Sequence, residues 1–366
     1  MNGGEPAVPI GHIRVGAYRI PTDAPESDGT FAWDATTLVV VQFQAGNVHA
    51  LGYTYADRST AVLIQDAFAP LIEGRNVFDA AAIRNDCARA TRNIGSRGVA
   101  AMALAAVDAA LWDARAKLLD IALVDVFGAV RANVAIYGSG GFTSYDDAQL
   151  CAQLGGWAES GIGRVKMKVG RQPAADAARV ATARKAIGAD CALFVDANGA
   201  YTRAQALALA EDFNAEGVTW FEEPVSSDDR EGLAAIRSGV PSGMEIAAGE
   251  YGYDAWHFRH LLQAQSVDVL QADVTRCGVH VFLAAASLCE AHGLQLSAHC
   301  APSLHVALGC ALGVVRHLEY FHDHARIERL LFDGAPQPID GVLAADRTRP
   351  GFGLEFKSRD AERYAL

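Results

Sequence analysis

The chain has 366 residues, 51% hydrophobic and 20% charged, with a formal net charge of −12. That composition belongs to an ordinary globular protein long enough for two domains, and the acidic balance excludes a broad nucleic-acid surface. It does not exclude an anionic small molecule, because a bound cation or a few lysines can dominate the field inside a pocket.

Residues 1–11 (MNGGEPAVPIG) lack the basic and apolar segments of a signal peptide. Residues 12–20 alternate loosely and predict a strand, and 21–30 (PTDAPESDGT) predict a loop. Strands follow at 36–44 and 48–55, joined by the turn signal Ala45-Gly46-Asn47, so the start of the chain reads as an antiparallel meander. Residues 60–130 read as helical, and 101–123 as a strongly amphipathic helix with an Ala-rich face suited to close packing. An α+β domain is therefore expected over 1–125.

From about residue 132 the pattern changes. Strands are predicted at ANVAIYGSGG, 164–170, 192–199, 218–224, 245–250, 267–273, 294–300 and 316–321, with helical sequence between them. This alternation predicts a parallel sheet closed into a modified (β/α)₈ TIM-like barrel over 126–333, an α/β architecture capped by the N-terminal α+β domain. Residues 334–366 turn Gly/Pro-rich and read as a tail leaving the barrel and returning to the first domain. No apolar run reaches the roughly 18 residues of a membrane span. The seven cysteines are odd in number, widely spaced and without a CxxC pair, which predicts reduced thiols in a cytoplasmic protein.

Lys168, Asp196, Glu222, Glu250, Asp273, His299 and Glu319 recur at intervals of roughly 20 to 28 residues, about the length of one strand, one helix and two loops. Most close an apolar run, as the C-terminal tip of a buried parallel strand does. A barrel gathers all such tips at one mouth. Asp196, Glu222 and Glu250 end three successive strands, and three carboxylates on one rim repel unless a cation joins them. An all-oxygen set suits Mg²⁺. The plain alternative is that strand-end acids cap the helices that follow.

Lys166 and Lys168 share one strand face at i and i+2, a costly arrangement on an inward face unless it serves a site. Crowding by each other and by a metal is expected to lower their pKa values, which would make a base. Asp273 and His299 end adjacent strands, where the carboxylate would orient the ring and raise its basicity as a second acid/base. The loop Gly138-Ser139-Gly140-Gly141 resembles a phosphate cradle without the P-loop lysine spacing, so a close backbone approach is the expected use.

The ordered set Lys166-Met-Lys168, Asp196-Ala-Asn198, Glu222-Glu223-Pro224, Gly249-Glu250, Asp273, His299 and Glu319 resembles the enolase superfamily, and within it the mandelate racemase branch. Residues 105–118 look like that family's last capping-domain helix. The resemblance implies that Asp196, Glu222 and Glu250 bind Mg²⁺ and that Lys166 contacts the substrate carboxylate. It implies that Lys168 moves the α-proton on one face and His299, paired with Asp273, works on the other. Glu319 would hydrogen-bond a carboxylate oxygen of the intermediate, with Asn198 and Glu223 in support. A homo-oligomer, often an octamer, is also implied.

Removing the proton α to a carboxylate creates an enediolate, whose charge a cation, Lys166 and Glu319 would stabilise more than the ground state. The step after it is open: loss of a β-hydroxyl makes an acid-sugar dehydratase yielding a 2-keto-3-deoxy acid. Reprotonation makes a racemase or epimerase of a 2-hydroxy acid, and loss of a lactone oxygen makes a cycloisomerase. A non-catalytic binder would need neither Lys168 nor the His299–Asp273 pair. The resemblance implies two lid segments, near 21–34 and 53–60, which carry Asp23, Glu26, Asp28, Trp33, Tyr53, Tyr55, Asp57 and Arg58; the plain alternative is that they are solvent-exposed loops. Polar lids suit a polyhydroxylated acid such as an aldonate or aldarate. Tyr320, His322, Asp323, His324 and Arg326 form a second polar cluster that could hold the distal end of such a substrate, or serve as scaffold, with Arg326 suited to a second carboxylate. Histidines 322 and 324 are a weak signal for a second metal.

Overall fold

A computed structural model describes residues 7–366; the leader-free reading of residues 1–11 falls largely outside them. Strands β1 (Ile10–Ser27), β2 (Ala32–Ala45) and β3 (Val48–Tyr55) form an antiparallel sheet. The expected loop at 21–30 is mostly strand. Pro21 falls where the ladder slips, and pairing resumes at Glu26↔Trp33 and Ser27↔Ala32. A Pro at a slip costs no ladder bond, so the hairpin runs on as a long arm.

The helix Val99–Leu118 is buried on nearly every side, from Ala100 to Ala116, and is not the amphipathic helix expected. It lies between the cap sheet and the helix Val274–His292 of the barrel, so it has no solvent face to make polar. Its alanines permit close approach: a Cβ on Gly52 of β3 would sit 2.1 Å from the Ala106 carbonyl oxygen and 2.5 Å from the Ala110 nitrogen. Both are backbone atoms that cannot swing aside. Gly52→Ala is therefore expected to destabilise by about 1–3 kcal/mol, read as a fall in Tm with little change in secondary structure.

Eight parallel strands follow: β4 (Val134–Gly140), β5 (Arg164–Lys168), β6 (Ala192–Asp196), β7 (Val218–Glu222), β8 (Glu245–Ala248), β9 (Val269–Ala272), β10 (Gln295–Ala298) and β11 (Val315–Phe321). They neighbour one another in sequence order, and β11 pairs β4 to close the barrel. The lower interior is filled by Tyr137, Phe194, Trp220, Ala247 and Val269, with His317 against the aromatic rings. The Gly-rich segment is largely β4 itself. A side chain at Gly138 would strike the Trp157 ring at 2.6 Å, so glycine there admits the helix Asp147–Glu159.

Val274–His292 is long and apolar enough to cross a bilayer by length and composition, with a mean hydropathy of 1.2. It instead packs against Val99–Leu118 and the barrel, and a helix covered on two sides needs few polar residues. After Asp333 the tail adds β13 (Val342–Leu343) antiparallel to β4, and β14 (Glu355–Phe356) pairs β12 (Phe332–Asp333). The tail meets the cap where Phe352 N and Leu51 N both donate to the Asp113 carboxylate, at 3.0 and 2.8 Å, and where Leu366 N donates to Ala17 O.

Candidate active site

The register of the barrel sets the site. Lys168 pairs Asp196 and Asp196 pairs Glu222, so the three stand side by side on one interior level. Glu250 follows β8 by two residues, Asp273 and His299 follow β9 and β10 directly, and Glu319 lies within β11. All seven side chains predicted from spacing are buried at the C-terminal end of the barrel. Lys168, Glu250, Asp273, His299 and Glu319, together with Asn198, line a cavity of about 380 Å³ under the cap. Strand β9 is four strands from β5, half way round the ring, so Asp273 faces Lys168 from the opposite wall.

The acids converge. Ligand oxygens of Asp196, Glu222 and Glu250 lie within 4.8 Å of one another. Lys168 Nζ is 2.5 Å from Asp196 Oδ2. Lys166 Nζ, fully buried, is 2.6 Å from Glu222 Oε1, 2.8 Å from Glu319 Oε1 and 3.5 Å from Asp196 Oδ2. Lys166 thus stands behind the acids as their counter-ion and is not among the residues lining the cavity. The expected fall in the two lysine pKa values is not found in this arrangement. Burial pulls both ammonium groups down, but Glu222 and Glu319 around Lys166, and Asp196 beside Lys168, hold them above the ordinary lysine value.

Negative charge is in surplus. Six carboxylates, counting Glu223, face two lysines, His299 and Arg276. Burial, then the neighbouring Asp196 carboxylate, pushes Glu222 up to about 8. Burial and Glu250 push Glu223 up as well, and its Oε1 has no partner. A hard divalent cation answers both observations: it fits three converging oxygens and neutralises the surplus. Below about pH 8 a proton competes for Glu222, so Mg²⁺ affinity should rise with pH up to that point, by about tenfold per unit if one proton leaves. Calorimetric titration in buffers of different ionisation enthalpy checks this through the proton released.

On the other wall, Asp273 Oδ1 caps the following helix by accepting from Thr275 N and Oγ1, both at 2.7 Å, and Oδ2 receives His299 Nδ1 at 2.8 Å. Asp273 thus caps the helix after β9 as well as holding His299. Burial resists, but the hydrogen bond from His299 holds the Asp273 carboxyl down to about 2. Burial likewise pulls the His299 imidazole down, and Cys300, Glu250, Glu319 and Asp273 together raise it well above its ordinary value. With Nδ1 committed, Nε2 is the nitrogen free to work, 3.2 Å from Glu250 Oε2.

The turn carrying His299 is strained. Cys300 and Ala301 adopt φ of 51° and 38°, and Asn198 and Glu223 sit at 46° and 37° after β6 and β7. Left-handed backbone at non-glycine residues costs on the order of 1–3 kcal/mol each and persists where the surroundings impose it. Here the buried His305 imposes it: Nδ1 donates to Cys300 O and Ala301 O at 2.9 and 3.0 Å, and Nε2 accepts from Val274 N at 2.9 Å. His305 braces the Asp273 and His299 loops against each other.

The lid is less polar than expected. Phe31 stacks on Trp33, and both line the cavity with Asp28, Thr36, Thr37, Tyr55 and Asp57. Glu26 is buried against Trp33 Nε1 at 2.7 Å, Arg58 is exposed, and Tyr53 donates to Glu328 Oε1 at 2.6 Å away from the cavity. Arg326 does not line the cavity either. It pairs with Asp323 and donates to Pro21 O at 2.7 Å, while His322 meets Asp23 at 2.9 Å. These residues tie the cap hairpin to the last barrel helix, which is the scaffold use of the second cluster. His324 does reach the cavity, stacked on Tyr55 with ring centroids 3.5 Å apart. Burial lowers its imidazole to about 3, so it is neutral.

Sequence reasoning missed Arg276 and Cys300, both lining the cavity. Arg276 lies 4.6 Å over the Tyr251 ring and 3.7 Å from Asp273 Oδ2. Its signal was its place one helical turn after Asp273, which turns it back toward the mouth.

The molecule is similar to known proteins along nearly its whole length. The family model for the mandelate racemase/muconate lactonizing enzyme N-terminal domain matches residues 20–128, and that for the enolase C-terminal domain-like family matches 148–361. The L-talarate/galactarate dehydratase of Salmonella typhimurium is 32% identical over 273 residues, 73% of this chain and 67% of that protein. A mandelate racemase/muconate lactonizing enzyme-like protein from Rubrobacter xylanophilus superposes with a TM-score of 0.95 at 50% identity, over 99% of this chain and 100% of that one. L-Talarate dehydratase from Polaromonas sp. JS666, solved in complex with Mg and L-glucarate, gives 0.88 at 29% identity, over 98% and 97%. With both family domains in order on a capped barrel, this chain belongs to the mandelate racemase/muconate lactonizing enzyme family of the enolase superfamily.

Proposed function

We propose that this protein is a Mg²⁺-dependent acid-sugar dehydratase, removing the proton α to a carboxylate and then a β-hydroxyl to leave a 2-keto-3-deoxy acid. The observation that carries the reading is the placement of Lys168 and the His299–Asp273 pair on facing walls of one cavity, beside three converging carboxylates. Asp196, Glu222 and Glu250 would hold the cation, which when bound supplies positive charge for the enediolate. Lys168, raised while Asp196 holds its ammonium, would exchange the α-proton on one face once a cation takes up the Asp196 charge. His299 delivers a proton from Nε2 to the departing hydroxyl on the other, while Asp273 keeps its ring oriented. Glu319 presents its carboxyl between Lys166 and the Cys300 amide, 3.0 Å from the latter. The cap hairpin and Tyr55 exclude water from above.

The substrate class follows from what lines the cavity. Asp28, Thr36, Thr37 and Asp57 offer partners for several hydroxyls. Arg276 offers a second cation beyond the lysines, suited to the distal carboxylate of an aldaric acid. Arg276→Met should lower kcat/KM for an aldaric acid by about 10- to 100-fold, the worth of a charged hydrogen bond, and change an aldonic acid of equal length little. Equal losses on both would remove Arg276 from distal recognition. The likeness to two talarate dehydratases supports the same class. All seven cysteines are free, which supports a reducing, cytoplasmic setting.

The test is proton NMR over a panel of aldonic and aldaric acids and their lactones with Mg²⁺. A new 3-deoxy methylene signal establishes dehydration. Epimerisation at C2, or ring opening without a methylene, would replace the proposal with one of the isomerase readings.

A further inference from the structure

We propose that His299, Cys300 and Glu319 form a second cation site, selective for a thiophilic divalent ion such as Zn²⁺ and adjoining the all-oxygen site of Asp196, Glu222 and Glu250, whose Glu250 Oε2 is 3.2 Å from His299 Nε2. His299 Nε2 and Cys300 Sγ are 3.3 Å apart, Cys300 Sγ and Glu319 Oε2 are 3.6 Å apart, and Nε2 and Oε2 are 3.7 Å apart. Bond lengths of Zn²⁺ to nitrogen, sulfur and oxygen, taken at tetrahedral angles, put such donors roughly 3.3–3.6 Å from one another. One imidazole, one thiolate and one carboxylate neutralise the ion, and the open fourth position faces the cavity that all three residues line.

The surroundings favour this use. Asp273 on His299 Nδ1 completes the carboxylate–histidine arrangement that orients a metal-bound imidazole. The strained turn at Cys300, clamped by His305, fixes the thiol toward the ring in place of a flexible approach. Donor softness separates the two sites, since thiolate and imidazole draw Zn²⁺ or Co²⁺ while carboxylates alone suit Mg²⁺. Binding displaces two protons to solvent, one from the Cys300 thiol and one from His299 Nε2, while Nδ1 keeps its hydrogen bond to Asp273. An ion held there would occupy Nε2 and take His299 out of proton transfer, a consequence that rests on the role proposed above. The binding itself does not.

The experiment is a Co²⁺ titration of the whole protein under excess Mg²⁺, followed in the near ultraviolet. One equivalent should raise a thiolate-to-cobalt charge-transfer band that Zn²⁺ then removes. The band should vanish in Cys300→Ser and persist in Cys151→Ser. In His299→Gln, which leaves the thiol in place, Co²⁺ affinity should fall by about tenfold or more. Absence of the band in the native protein, its survival in Cys300→Ser, or unchanged affinity in His299→Gln would each overturn the proposal. The readout is independent of turnover, so a protein inactive on every acid tested still answers it.

Discussion

Lys168→Ala and His299→Asn are each expected to lose turnover by about 10²- to 10⁴-fold, the worth of a positioned acid or base, while both variants keep the native fold. Lys168 Nζ is tied to Asp196 at 2.5 Å and opens on the cavity, whereas Lys166 is sealed behind Glu222 and Glu319. Of the two lysines, Lys168 is therefore the one placed to reach a substrate proton. His299 has its Nδ1 committed to Asp273 and its Nε2 free. The two variants should also differ. If Lys168 takes the α-proton, His299→Asn retains slow exchange of that proton with solvent and Lys168→Ala does not. Exchange surviving in Lys168→Ala instead would assign the first step to His299.

Glu222→Gln and Glu250→Gln should weaken Mg²⁺ binding by more than about 100-fold, since loss of a direct ligand exceeds the effect of losing an outer partner. Glu328→Gln is the control. Glu328 is also a buried acid, raised to about 7 by burial, but its oxygens serve Tyr53 and Ser303 outside the cluster. A second consequence separates a metal centre from a structural acid pair. Glu222 sits at about 8 because burial and Asp196 oppose its charge. Its folded pKa is raised, so its contribution to stability is full below the unfolded carboxylate value near 4.5 and is lost as pH rises through 8. Glu222→Gln should therefore raise the Tm of the Mg²⁺-free protein at pH 8 and above, while the native protein gains more from added Mg²⁺. Parallel thermal melts with and without the ion show whether the crowding is held for binding.

The barrel and its acids were readable because a parallel strand covered on both faces leaves an apolar run whose end is marked by the first polar residue. That rule located Asp196 and Glu222 at strand ends and Glu250, Asp273 and His299 within two residues of them. It says nothing about residues that reach the site from the cap. Thr36 and Phe31 of the β1–β2 hairpin and Tyr55 of β3 arrive by docking of the cap sheet, through Ser27 with Thr143 and Thr54 with Thr275, contacts that no local pattern encodes. The same limit misplaced Arg326. A basic residue after the last strand suits a substrate carboxylate by type, but Asp323 and the Pro21 carbonyl claim it. Helix Val99–Leu118 shows the converse. Its alanines announced close packing, yet only the fold reveals that it packs on two sides at once.

Exchange of the substrate α-proton for solvent deuterium, followed by NMR in D₂O with an aldaric acid, bears most directly on enediolate chemistry at this mouth. The account predicts that the C2 proton signal disappears or its product carries deuterium only when Mg²⁺ is present, and that Lys168→Ala abolishes the incorporation. Product formed without deuterium at its 3-deoxy carbon, or reaction that proceeds equally in excess chelator, would contradict it.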